Sequence, residues 1–186
     1  MANDIVTAPD AEISVLRQGF ITLMTIFDAT IFDLLRVALR SDFFGLISAF
    51  GRNERVSLER LGQYSSFEDF QDEIIEEQLK SKYLKDILFI LNSLGVSLVN
   101  PAAEERFIHL LELVLRRNVH VHNKGRVDER YLERDQNGTA RYNVYNLSLG
   151  EVACIDQEYW SLANRLCRNC VVNVSKWATS FQFDRL

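Results

Sequence analysis

Three residue types able to act on a phosphodiester stand close together: Arg117, Asn118 and His122. Arginine carries a planar, permanently charged fork that fits a phosphate. Histidine titrates near neutrality and can move a proton. On a helix, Asn118 and His122 form an i,i+4 pair on one face, and Arg117 lies one step around with a long enough side chain to reach the same space. Such a set suits RNA cleavage without a metal. A base takes the proton from a ribose 2′-OH, the oxygen attacks phosphorus, an acid protonates the leaving oxygen, and a fixed cation stabilises the growing charge. His120 and His122 would point about 200° apart on a helix, and no cysteine or carboxylate set completes a ligand shell, so neither metal nor cofactor is expected.

The surroundings of this motif are basic. Arg106, Arg116, Arg117, Lys124, Arg126, Arg130 and Arg134 outnumber Glu112, Asp128, Glu129 and Glu133. Arg116, Lys124 and Arg126 are the expected substrate contacts along an RNA strand, although a charged loop has the same composition. Arg117 would also sit well as a plain cation at the negative end of a helix dipole, with His122 as a capping side chain. Asp28 and Asp33 interrupt the first helix beside its apolar stripe, as salt-bridge partners for Arg117 or as parts of a solvated face. His109 reads as a surface or core-edge histidine. Cys167 and Cys170 have redox spacing but lie within a helical pattern, where Cys170 falls on the apolar stripe.

The rest of the chain must hold these residues in place. Its 186 residues, 47% hydrophobic and 25% charged, suit a single domain spanning 1–186. The formal net charge of -5 argues against a general nucleic-acid coat and for a local site. The start is acidic where a signal peptide would be basic, and the uncharged stretch 87–103 is interrupted by Asn92, Gly95, Asn100 and Pro101, so no membrane helix is expected. With 3 cysteines, the expected compartment is the cytoplasm.

Two prolines and few glycines favour long helices. The first is expected after an Asp10 cap, with Ile13, Leu16, Phe20, Leu23, Phe27, Ile31, Leu34 and Ala38 on one stripe. Ser41 or Asp42 restarts a short helix through Phe50, and a further turn fits Leu58–Leu61. Ser66 with Asp69 caps a second long helix that Gly95 closes. Asn100-Pro101 opens a third, which carries the motif, with Phe107, Leu110, Leu111 and Val114 facing inward. After Asn123-Lys124-Gly125, an Asn137-Gly138 turn between Tyr131-Leu132 and Tyr142–Tyr145 fits either a small β-hairpin or a loop. Ser148 with Glu151 reads as a capping box for the last helix, striped by Val152, Ile155, Tyr159, Leu162, Leu166, Cys170, Val174 and Trp177. The expected fold is all-α: an antiparallel bundle of four long helices plus short ones.

Arg117-Asn118-x-x-x-His122, at the end of the third long helix of an all-α chain, resembles the signature of the HEPN superfamily. The resemblance implies a dimerising four- or five-helix bundle. It also implies metal-independent endoribonuclease activity of the kind found in toxin–antitoxin, antiphage and RNA-guided defence systems. Arg117 and His122 would be catalytic, Asn118 would orient them, and the partners would be RNA, a second copy sharing a composite site, and an antitoxin or regulatory protein. One branch of the family carries a tyrosine two residues after the histidine; Lys124 stands there instead, so that branch's nucleotidyltransferase partner is not inferred. The alternative is a non-catalytic HEPN-like module for dimerisation or for binding nucleotide or protein.

Overall fold

The computed structural model describes residues 8–50, 58–99, 104–133 and 141–183, and these are predominantly helical. Among them, seven α-helices follow in chain order: α1 (Ala8–Ser41), α2 (Phe43–Leu46), α3 (Leu58–Leu61), α4 (Phe67–Lys80), α5 (Leu84–Ser93), α6 (Glu104–His122) and α7 (Gln157–Phe183), with a 3-10 turn at Ile47–Phe50. The all-α expectation holds among these residues. Tyr131-Leu132 and Tyr142–Tyr145 lie in turns rather than in paired strands, while the Asn137-Gly138 turn falls outside the described residues. The cap at Asn100-Pro101 and the cation Arg134 fall outside them too.

Three boundaries differ from the sequence reading. Helix α1 already includes Ala8 and Pro9, ahead of Asp10; proline is tolerated in a first turn, where its missing N–H is not needed. Met24, Leu35 and Leu39 join Phe20, Phe27, Ile31 and Ala38 in its buried stripe, whereas Ile13 is exposed. The second long helix is two helices. Ser81 Oγ donates back to the Gln78 carbonyl, and the Asp86 carboxylate takes the Tyr83 N–H at 3.0 Å, which starts α5 afresh. The last helix begins at Gln157, eight residues later than a helix capped by Ser148 would. Glu151 does accept the Ser148 N–H at 2.8 Å, but it closes a turn. Helix α7 is capped instead by Asp156, which accepts the Tyr159 N–H at 2.7 Å.

The chain divides into two compact units, neither continuous in sequence. One comprises residues 1–27 and 99–169; the other comprises 28–98 and 170–186. In the second unit, α1 and α4 are tied by Arg36–Glu76 and Arg40–Asp72 ion pairs, each 2.6 Å, over a core that includes Ile74, Ile75, Ile87, Leu88 and Leu91. Phe43, Phe67 and Phe70 meet edge-on or tilted beside it.

The first unit carries the motif. Its central element is α6, in which every residue from Leu110 to Arg116 is buried. A helix covered all round needs a mostly apolar surface. Leu110, Leu111, Leu113, Val114 and Leu115 provide it, and the two charges in the run, Glu112 and Arg116, neutralise each other. Helix α1 packs here through Phe20, edge-on to the rings of His120 and Tyr159, and Met24 meets Cys167 of α7.

Candidate functional site

The site is built where α6 ends. Asn123 and Gly125 both turn their N–H groups back to the Val119 carbonyl, at 2.9 and 3.1 Å. Lys124 and Gly125 take positive φ, 53° and 82°, as a helix terminus of this kind requires. A Cβ on Gly125 would stand 2.9 Å from the His120 ring, so both the backbone and the space there call for glycine. The chain then runs against a returning segment. Val127 N–H donates to Glu151, Gly150 N–H to Val127 and Ala153 N–H to Gly125, and Arg126 bridges Val152. That ladder explains why residues 152–156 stay out of the helix and delay α7.

His120 locks the corner. It is only 4% exposed, and its Nε2 lies 2.7 Å from the Ala153 carbonyl, while Nδ1 is buried without a partner. Burial lowers its pKa to about 4, against the Ala153 bond and with help from Arg17 and Arg116, so the ring is neutral and donates through Nε2. The His120 carbonyl, left over at the helix end, accepts from Arg17 of α1 at 2.7 Å. Sequence reasoning missed Arg17 because nothing in the α1 pattern marks one polar-face arginine as reaching an element more than a hundred residues away.

The motif residues occupy the outer side of this corner. His122 is exposed in the last turn. Arg117 and Asn118 are half-buried, and the Arg117 guanidinium donates to Asn118 Oδ1 at 3.1 Å. His120 and His122 do diverge, one inward and one outward. Among the described residues no group of three His, Cys, Asp or Glu side chains comes together in a way that could hold a metal ion.

No family model, curated protein or solved structure matches this chain.

Of the three expected substrate contacts, Lys124 and Arg126 are exposed, and Arg126 also donates to the Gly150 carbonyl at 3.1 Å. Arg116 is placed otherwise. It is 3% exposed; its Nε donates to Glu112 at 2.6 Å and its other nitrogens to the Cys154 carbonyl and the Tyr131 hydroxyl. The rings of Tyr159 and Tyr145 cover it at 4.1 and 4.6 Å. A guanidinium bonded and covered in this way is not open to a strand, because charge adjacent to apolar α6 surface must be satisfied internally. Glu112 is completed by the hydroxyls of Tyr131 at 2.6 Å and Tyr159 at 2.7 Å. Burial and the Glu112 charge hold both phenols well above the usual tyrosine range. One signal of this cluster was in the sequence: an i,i+4 Glu–Arg pair inside an otherwise apolar run. The three tyrosines were not foreseeable, since only the fold brings them there.

The remaining sequence candidates lie elsewhere. Asp33 is held by Arg36 at 2.8 Å. His109 is half-buried, edge-on to the Tyr145 ring. Cys167 and Cys170 are buried free thiols in α7, and burial pushes Cys167 up to about 12, which makes it a packing residue rather than a nucleophile. No helix among the described residues is long and apolar enough to cross a membrane.

Proposed function

We propose that this chain is a metal-independent endoribonuclease of the HEPN type, acting in the cytoplasm as a toxin or antiphage effector. The supporting observation is the end of α6, where an exposed histidine follows an arginine that is braced by its neighbouring amide, on a corner held rigid by His120. Arg117 would stabilise charge on the phosphoryl oxygens, Asn118 would orient it, and His122 would transfer protons. An antiparallel bundle of four long helices belongs to the same proposal, as does control by an antitoxin or other regulatory protein.

The active unit we propose is a twofold dimer. On one helix, residues five apart diverge by roughly 140°, so Arg117 and His122 of a single chain face different directions. A C₂ axis near the end of α6 would set the His122 of one copy beside the Arg117 of the other, and give the reaction one histidine as base and another as acid.

The test is RNA cleavage in excess EDTA. Products with 2′,3′-cyclic phosphate ends are expected, and mixing Arg117→Ala with His122→Ala protein should restore part of the rate through hybrid dimers. Loss of cleavage on chelation with recovery in Mg²⁺, or an active monomer, would overturn the mechanism.

A further inference from the structure

The exposed face of the first turns of α7 gathers basic, amide and aromatic side chains. Gln157, Trp160, Ser161, Asn164, Arg165, Arg168 and Asn169 line one shallow groove of about 580 Å³, at helical spacing along a single side of the helix. Arg165 and Arg168 are exposed, and among the described residues neither has an ion-pair partner. This contrasts with Arg36, Arg40 and Arg60, each of which is matched to one or two carboxylates within 3.5 Å. The acids nearest in sequence, Asp156 and Glu158, line a neighbouring cleft that shares Ser161 and Arg165 with this groove, and Asp156 is engaged as the α7 cap. Two free guanidinium groups, three amides and a half-exposed indole in one groove provide charge for phosphates, hydrogen bonds for base edges and a flat ring for stacking.

The groove also adjoins the element that braces the α6 corner. Trp160 lies against Gly19 of α1, where a Cβ would come within 3.5 Å of its ring. One turn of α1 thus reaches in two directions: Arg17 to the His120 carbonyl and Gly19 to Trp160.

We infer that this face of α7 is a track for single-stranded RNA, with Arg165 and Arg168 on the backbone and Trp160 stacked on a base, running by way of the Arg17–Gly19 turn toward the end of α6. The inference rests on the ribonuclease reading for its substrate, but not on cleavage itself. A non-cleaving full-length chain, His122→Ala with Trp177→Phe so that Trp160 is the lone tryptophan, separates the two. Titration with an end-labelled 20-nucleotide polyuridine should quench Trp160 emission and raise anisotropy. Adding Arg165→Glu and Arg168→Glu should weaken binding at least about 10-fold and flatten the dependence of log affinity on log salt by about 1.4, as expected for two lost phosphate contacts on a single strand. Trp160→Ala, read by anisotropy, should weaken binding about 5-fold or more. Unchanged melting temperatures would show that the charge reversals leave the fold intact. Equal affinity and salt slope in the reversed variant would overturn the track, even if the wild type cleaves RNA. Equal binding of polyglutamate without Trp160 quenching would assign the arginines to an acidic protein and overturn it as well. If the track binds as expected and the wild type does not cleave, the enzymatic reading fails and the track stands.

Discussion

Arg116 and Arg117 are neighbours in sequence and opposites in use. Arg116 points into the first unit, bonded to Glu112 and covered by Tyr145 and Tyr159. Arg117 stays half-buried on the outer side, braced by the amide of Asn118. The same division separates His120, buried and neutral, from exposed His122. One face of α6 is thus scaffold, and the other is free for chemistry. Motif spacing alone does not separate the two, because adjacent helical positions differ by about 100° and the apolar surroundings decide which one is buried.

The largest expected effect falls on the scaffold. Arg116→Ala leaves Glu112 charged and buried beside two tyrosine hydroxyls, and should destabilise the fold by about 3–5 kcal/mol. Arg117→Ala should change stability by no more than about 0.5 kcal/mol. Urea unfolding of the two variants measures the difference; similar midpoints would mean that the two arginines are not divided in this way.

Acid should act on the same side of the helix. The folded state holds His120 near pH 4, while the unfolded chain binds its proton near 6.5. The stabilisation is therefore complete above about pH 6.5 and is lost as pH falls from there to about 4, a loss of about 3 kcal/mol from this group. His120→Gln should flatten the pH dependence of the unfolding midpoint over that window. An unchanged slope would show that His120 does not titrate as a buried group.

Much of this division was legible in the sequence. The inward Leu110, Leu111 and Val114 and the divergence of His120 from His122 follow from helical periodicity, and the Ser66 cap is seen as expected. The break between α4 and α5 was hidden because the apolar stripe runs on through Ser81–Tyr83, while the interruption depends on one carboxylate taking one N–H. The late start of α7 was hidden for a different reason. Val152 and Ile155 fit the helical stripe, but hydrogen bonds to residues 125–127, distant in sequence, hold this stretch out of the helix. Gathering Tyr131, Tyr145 and Tyr159 around Arg116 likewise depends on contacts that no local pattern encodes.

A smaller effect tests the corner between the two faces. Gly125→Ala would place a Cβ against the His120 ring on a backbone with φ of 82°. It should cost about 1–3 kcal/mol and loosen the turn that presents His122. Amide hydrogen exchange across 119–127 should rise relative to the rest of α6; uniform protection would show that Gly125 does not hold the corner.

The central claim is that the exposed end of α6 carries the chemistry and the buried face does not. It is tested most directly by single-turnover cleavage of an end-labelled RNA in EDTA by wild type, Arg117→Ala and His122→Ala, with thermal melts of each. The account predicts a fall of about 10²–10³-fold in both variants at unchanged melting temperature. Wild-type rates in the His122→Ala protein at equal melting temperature would contradict it.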